Sequence, residues 1–516
     1  MRITITYPPL PSKRGSPLLS QNRQFQWFNQ PTYIYPLVPA SAATLLKKQG
    51  YQVSWLDGIA EKLSYQQWLK KILKLKPNLI MMETKTPVIK KHWRIINQVK
   101  KKMEVKIVLV GDHVTALPEE SFIHSQVDYV LTGGDYDFLL LNLAEHLTKG
   151  SKLEAGIYYR ANDKAKKLIK QPAQKQSERF KSPVQKQITA KIKNTGRFKL
   201  NHDLNQLPII DRDLSQWQLY AYQNGNYKYK PGAYIMAARD CWWRKNGGCS
   251  FCAWAGLYPK HRQRTVNDVL NEIGHLIKKY RVKEIMDDSG TFPVGKWLTD
   301  FCKGMIKRNF NKKISFSCNM RFGVLKEKDY QLMAKAGFRL LLFGLESANQ
   351  KTLDCLNKGI KVKEIENELK LIQKINQKNK GQLESHLTCM LGYPWESKND
   401  IHKTINFIKD IFKKGLLDSL QASIIIPYPG TKLFAQAQKN NWLKTENWAD
   451  YDMKKTVLKT KLTDAEIFKL TQEFYAASLT PKFVWKKIKK IRTKDDLLFL
   501  LNAARKLTGR ILDFDI

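Results

Sequence analysis

The feature that most constrains the fold is an alternation of short apolar or β-branched runs with amphipathic stretches of helical period, repeated in two series along the chain. In the first series, runs at residues 3–6, 52–56, 79–82, 107–110 and 129–131 are separated by helical patterns such as 40–49, 65–75 and 93–101. Buried strands this short, each followed by a helix that returns the chain, predict βαβ units and a parallel sheet over residues 1–150. Such sheets bind ligands outside the carboxyl ends of their strands. The polar and glycine-rich loops fall there: Asp57-Gly58, Glu83-Thr84, Gly111-Asp112-His113 and Thr132-Gly133-Gly134-Asp135. No Gly-x-Gly-x-x-Gly opens a helix after the first strand, which argues against a dinucleotide.

The second series runs from 231 to 455, with strand patterns at 234–237, 283–287, 314–318, 339–344, 386–391 and 420–426 and helical ones such as 266–279 and 365–375. Six strands at this spacing predict a (βα) barrel or part of one. Between the two series, residues 151–230 are expected to be insertion and linker, with 164–193 rich in Lys, Gln and Ala. Residues 456–516 are expected to form a basic, helical C-terminal region. The amphipathic stretch 485–491 has the make-up of a helix lying on a membrane, but a packed surface helix is the expectation.

A chain of 516 residues exceeds one ordinary core, so two or three domains are expected. No apolar run approaches the roughly 20 residues that span a bilayer, and residues 1–9 lack the pattern of a secretory signal, so a cytoplasmic protein is expected. The 89 Lys and Arg against 46 Asp and Glu leave a formal charge of +43. That field would attract nucleic acid, anionic lipid or a phosphorylated ligand, but lysines spread over the whole chain assign no partner.

Three of the seven cysteines lie within twelve positions, in Asp240-Cys241-Trp242-Trp243-Arg244-Lys245-Asn246-Gly247-Gly248-Cys249-Ser250-Phe251-Cys252. They follow the first strand of the second series, at the end where barrels build their sites. Structural zinc wants four ligands, commonly from two Cys-x-x-Cys pairs, and only one such pair exists here. Three thiolates around a 4Fe–4S cluster leave one iron open to a ligand. Cys302, Cys318, Cys355 and Cys389 stand alone in apolar stretches and are expected to be buried.

Cys249-Ser250-Phe251-Cys252, with an aromatic before the last cysteine, resembles the radical S-adenosylmethionine (SAM) superfamily, although seven residues separate Cys241 from Cys249 where that family usually has three. Later landmarks match in order: Asp287-Asp288-Ser289-Gly290, Ser317-Cys318-Asn319-Met320-Arg321, Phe343-Gly344-Leu345-Glu346-Ser347, Leu391-Gly392-Tyr393-Pro394-Trp395-Glu396 and Pro427-Tyr428-Pro429-Gly430-Thr431. The resemblance implies a 4Fe–4S cluster on Cys241, Cys249 and Cys252. It implies SAM contacts from Phe251, Asp287, Asp288, Ser317, Asn319, Arg321, Glu346 and Gly392. Residues 1–150 resemble the Rossmann-like cobalamin-binding domain of one large radical SAM class. That likeness implies cobalamin contacts from Asp57, Glu83, Thr84, Gly111, Asp112, His113, Val114, Thr115, Gly133 and Gly134.

Together the two likenesses imply an α/β fold with an N-terminal Rossmann-like parallel sheet, a partial (βα)6 TIM-like radical SAM barrel and a helical tail. The loop Asp57-Gly58-Ile59-Ala60-Glu61-Lys62 lacks the histidine that many cobalamin proteins give to cobalt, and His113 is not expected to replace it. In the resembling class, one electron from the cluster cleaves SAM to a 5′-deoxyadenosyl radical, supplied through a donor such as flavodoxin or ferredoxin. A substrate radical then takes a methyl group at an unactivated carbon or phosphorus centre. The long cysteine gap is similar to that of phosphinate P-methyltransferases. An oxidative cyclase or rearrangement enzyme with the same cofactors is the nearest alternative, and an RNA-modifying protein is the alternative from another class.

Overall fold

A computed structural model of the chain describes residues 1–19, 25–28, 32–161, 191–224, 226–378, 383–489, 491 and 493–512. Most of the Lys- and Gln-rich stretch 164–193 lies outside them.

The first sheet comprises β1 (Arg2–Tyr7), β2 (Gln52–Asp57), β3 (Leu79–Glu83), β4 (Lys106–Val110), β5 (Tyr129–Leu131), β6 (Ile157–Arg160) and β7 (Ile192–Asn194), in the order β2-β1-β3-β4-β5-β6-β7. Pairing is parallel from β2 to β5, and β6 and β7 add antiparallel strands, so the sheet continues past residue 150. Ile80, Met81, Met82, Val108, Leu109 and Val110 are wholly buried, as strands covered on both faces must be. The helices start on legible signals. Ser64 caps Tyr65–Leu75 in a reciprocal box with Gln67, and Pro36 precedes Leu37–Lys48.

The second sheet is wholly parallel and follows chain order: β8 (Gly232–Ile235), β9 (Glu284–Asp287), β10 (Ser315–Met320), β11 (Phe338–Glu346), β12 (Glu384–Leu391) and β13 (Ser419–Ile424). Helices Val266–Tyr280, Lys296–Lys307, Glu327–Lys335, Val362–Lys378 and Lys398–Lys413 separate successive strands. Thr265 caps the first of these, and a Ser397–Asp400 box caps the last. The helices bury Ile273, Phe301, Met333, Leu369 and Ile408 on the outer face of the sheet, which fixes its carboxyl ends as one open rim.

At the opposite end, Arg339 bonds to both Glu284 and Glu384, and helix Lys494–Leu512 docks there with Asp496 2.6 Å from Lys228. Among the described residues no helix is long and apolar enough to cross a membrane.

The two sheets are joined by buried charge. Arg239, between β8 and Cys241, donates to Asp135 at 2.7 Å and also bonds Asp137, while Arg262 reaches Asp135 at 2.6 Å. Burial alone would raise the Asp135 carboxyl, but Arg239, with His202 and Arg262, holds it well below the ordinary carboxylate range.

Candidate active site

Each of the three clustered cysteines is half-buried and outside any disulfide among the described residues. The chain leaves β8 and turns at Asp240, whose φ of 75° puts a non-glycine residue in the left-handed region. The Arg244 guanidinium overrides that cost, gripping the buried Asp240 carboxylate at 2.6 and 2.9 Å. Gly290 makes the turn possible from the other side. A Cβ there would stand 2.6 Å from the carbonyl carbon of Asp240 and the nitrogen of Cys241.

Of the seven residues between Cys241 and Cys249, Trp242–Asn246 form a single 3-10 turn pinned by its surroundings. Trp243 Nε1 donates to the Asn357 carbonyl at 2.8 Å, and the Asn357 amide donates to the carbonyls of Asn246 and Gly248 at 2.9 and 2.8 Å. Lys432 Nζ donates to the Gly247 carbonyl at 3.1 Å. The intervening residues are therefore tied to neighbouring loops through Asn357 and Lys432.

Around those thiols the chemistry is cationic and rich in donors. Arg321 Nη1 lies 3.8 Å from Cys249 Sγ, Arg244 Nη2 lies 3.9 Å from Cys252 Sγ, and Thr291 Oγ1 lies 2.9 Å from Cys241 Sγ. Trp242 Nε1, Arg244 Nη1, Ser250 Oγ, Arg321 Nε and Tyr393 Oη are buried with no hydrogen-bond partner among the described residues. Orphaned buried donors are costly unless something accepts from them. An anionic iron–sulfur cube on three thiolates supplies such an acceptor, so the donor set fits that group. Among the described residues no three His, Cys, Asp or Glu side chains are gathered closely enough for a single metal ion.

The other residues named for SAM divide. Phe251 packs beside the Lys358 ammonium, 5.9 Å from its ring, and Gly392 ends β12 with φ 92°. Glu346 ends β11 at a register shift with φ 66°, and its carboxylate pairs with Lys358 at 2.6 Å. Asn319 donates to the Ser289 carbonyl at 3.0 Å, and Arg321 also donates to the Lys358 carbonyl. These residues meet the cysteine loop at the carboxyl rim.

Asp287 serves the scaffold. It accepts from the backbone of Ala237 at 2.7 Å and Ser289 at 2.9 Å, and burial pushes it up to about 6. Asp288 is half-exposed, and its backbone N–H bonds Ile235. Ser317 does not join the group, because its hydroxyl turns towards Glu284 at 3.3 Å. Sequence reasoning missed Arg244, Thr291, Asn357 and Lys358, which lie in loops without a periodic or motif signal. The expectation for the lone cysteines holds for Cys302, Cys318 and Cys389 and needs correction at Cys355, which is exposed at the end of the short helix Gln350–Cys355.

At the first sheet's carboxyl edge the named side chains bond mainly to protein. Asp57 accepts from the backbone of Ile59 and Ala60 at 2.9 Å and from the Tyr220 hydroxyl at 2.7 Å. Glu83 accepts from Tyr7 and Tyr136, and burial pushes it up to about 7. Thr84 meets His92 at 2.6 Å, and Asp112, which follows the turn at Gly111, pairs with Lys85 at 3.1 Å. His113 is fully buried, with Nδ1 3.2 Å from Thr86 and Nε2 2.9 Å from Glu120, between the Trp93 and Trp448 rings. Val114 is wholly buried, and Thr115 accepts from the Gly133 N–H at 3.0 Å. Phe198 covers Gly133. The Tyr258 ring lies against Gly134, where a side chain of any size would collide with it. Tyr258 belongs to the segment leaving Cys252, so the cysteine loop runs directly onto this edge.

Residues 240–408 match the radical SAM superfamily model, so the chain carries a radical SAM domain, and that domain with its relatives supports an enzyme. That domain implies a 4Fe–4S cluster and SAM as cofactors.

Among curated proteins, the chain is 26% identical over 459 residues to an uncharacterized methyltransferase of Pyrococcus horikoshii, covering 88% of this chain and 90% of that one. It is 25% identical to the anaerobic magnesium-protoporphyrin IX monomethyl ester cyclase of Rubrivivax gelatinosus, over 78% of this chain and 66% of that one. Among solved structures, the radical SAM methyltransferase TsrM of Kitasatospora setae, with cobalamin and a 4Fe–4S cluster bound, superposes with a TM-score of 0.63 at 13% identity, covering 93% of this chain and 89% of that one. The cobalamin-dependent SAM radical enzyme OxsB superposes with a TM-score of 0.67 at 14% identity, covering 99% and 72%. These likenesses establish the α/β fold with parallel sheets over nearly the whole chain.

Proposed function

We propose that this radical SAM enzyme is a cobalamin-dependent methyltransferase acting on an unactivated carbon or phosphorus centre of a small molecule. In this reading the first sheet is a Rossmann-like, cobalamin-binding-type unit and the second is a partial (βα)6 barrel. The observation that carries it is the contact of the cysteine loop's continuation, through Tyr258, with Gly134 on the first sheet's edge. Two redox cofactors held on those two elements would be neighbours.

When bound, the cluster and SAM would supply a strong hydrogen-abstracting radical, and cobalamin a transferable methyl group. The chain's own residues do the positioning. Asp240 and Arg244 lock the turn that presents Cys241, Arg321 holds positive charge at Cys249, and Lys358 with Glu346 closes the rim beside Phe251.

Asp57, Glu83 and His113 are spent on protein hydrogen bonds and do not fit as cobalt ligands. Support for cobalamin is instead the likeness across both sheets to two proteins whose structures hold it. The cyclase relative motivates a second reading, oxidative cyclisation with the same cofactors.

Anaerobic protein reconstituted with iron, sulfide and hydroxocobalamin tests both. Methyl transfer predicts cobalamin absorbance retained through desalting, and one labelled methyl from deuteriomethyl-SAM in a small-molecule product. Cyclisation predicts retained cobalamin and loss of hydrogen from the product with no label. Loss of all cobalamin on desalting overturns both.

A further inference from the structure

The C-terminal helices present their apolar sides outward. Seven of the nine exposed large hydrophobic side chains among the described residues fall between Leu479 and Leu501: Leu479, Val484, Trp485, Ile488, Leu497, Leu498 and Leu501. Helix Pro481–Lys489 is turned opposite to an ordinary surface helix. Its inner side packs Phe483 against Phe412, and directs Lys486 and Lys487 at the buried Asp418, 3.1 and 3.7 Å away. Lys486 also donates to the Gly415 carbonyl at 2.8 Å. Val484, Trp485 and Ile488 therefore share the outer side, with Trp485 58% exposed.

Helix Lys494–Leu512 repeats the arrangement. Asp496 faces inward to Lys228, and Phe499 lies 5.9 Å from the Arg339 guanidinium, so Leu497, Leu498 and Leu501 face out. The helix within 485–491 packs on the body through Lys486 and Lys487, while Trp485 and Ile488 on its other side stay exposed.

We infer that the outer face of these two helices is a docking surface for an anionic lipid bilayer, on which the protein lies without crossing. Charge selects this occupant. From Pro481 to Lys494 the sequence carries no acid and, besides the inward Lys486 and Lys487, Lys482, Lys489, Lys490, Arg492 and Lys494, on a chain of formal charge +43. Two identical faces of that sign repel each other, whereas an anionic surface attracts both. Trp485, with the Lys489 ammonium 5.1 Å from its ring, has the amphipathic character of an interfacial anchor. Because helix Lys494–Leu512 docks beside Arg339 at the amino end of β11, and helix Pro481–Lys489 beside Asp418 at the amino end of β13, the carboxyl rim with its cysteines would face away from the bilayer.

Full-length protein is floated with vesicles of phosphatidylcholine alone, or with phosphatidylglycerol added, at low and at raised salt. The expected result is binding to the anionic vesicles only, weakening as salt rises. Trp485→Ser/Ile488→Ser, at exposed positions, should lower the partition coefficient by about tenfold or more, and Leu497→Ser/Leu501→Ser should lower it in the same sense. Absence of flotation, or equal flotation of wild type and both double variants, overturns the inference. So does a dimer in light scattering that the double variants convert to monomer without change in flotation, because the face would then be covered by a second copy.

Discussion

The Arg321 guanidinium stands 3.8 Å from Cys249 Sγ and 4.4 Å from the centre of the Trp243 ring, so one cation links a cluster-loop thiol to the residues inserted before it. Positive charge beside an iron–sulfur cluster favours its reduced form. Arg321→Gln is therefore expected to lower the midpoint potential of the reconstituted cluster, read by electron paramagnetic resonance during a redox titration. An unchanged potential would remove Arg321 from the electrostatics of the site.

The three-cysteine assignment has a direct chemical readout. Reconstituted wild-type protein should bind about four irons. The Cys241→Ala, Cys249→Ala, Cys252→Ala triple variant should bind none. Cys302→Ala and Cys389→Ala, which alter buried side chains away from the loop, should keep the full complement.

Arg239 joins the two sheets through Asp135 and Asp137, and all three side chains are almost wholly buried. Arg239→Met leaves two carboxylates without their main cation, and breaking a buried pair this way costs roughly 3–5 kcal/mol. Urea unfolding of the variant should show that loss. Lys296→Met, which removes an exposed ion pair with Asp300, should change stability by less than about 1 kcal/mol.

Glu396 accepts from Thr352 at 2.8 Å and Ser347 at 2.9 Å, yet burial pushes its carboxyl up to about 7. The folded chain then holds a proton that the unfolded chain releases near 4.5. Stability from this group is present below pH 4.5 and is lost as pH rises through 7. Glu396→Gln should flatten that decline and stabilise the protein at pH 8 relative to wild type, by on the order of 2 kcal/mol. Thermal melts at pH 5 and pH 8 measure the difference.

Much of the architecture was legible because it is periodic. The apolar runs at 79–82 and 107–110 became β3 and β4 with one-residue shifts. The strands at 157–160 and 192–194 were hidden, since β6 and β7 are short, partly exposed and lack an apolar run. Among site residues, the cysteines announce themselves by spacing, whereas Arg244 and Lys358 are ordinary basic residues in a Lys-rich chain. Ser317 shares a strand face with Asn319 but lies one pleat nearer the amino end, where its hydroxyl bonds Glu284.

By itself the sequence determined two series of buried parallel strands and one loop able to offer three thiolates, because burial period and ligand spacing are local properties of the chain. Only the tertiary structure decided which charges surround those thiols, that His113 is committed to Thr86 and Glu120, and that Trp485 and Ile488 face outward. The reason is physical. Pairing and exposure depend on which distant element packs against a side chain, and Phe412, Asp418 and Trp448 lie far along the chain from the residues whose roles they set.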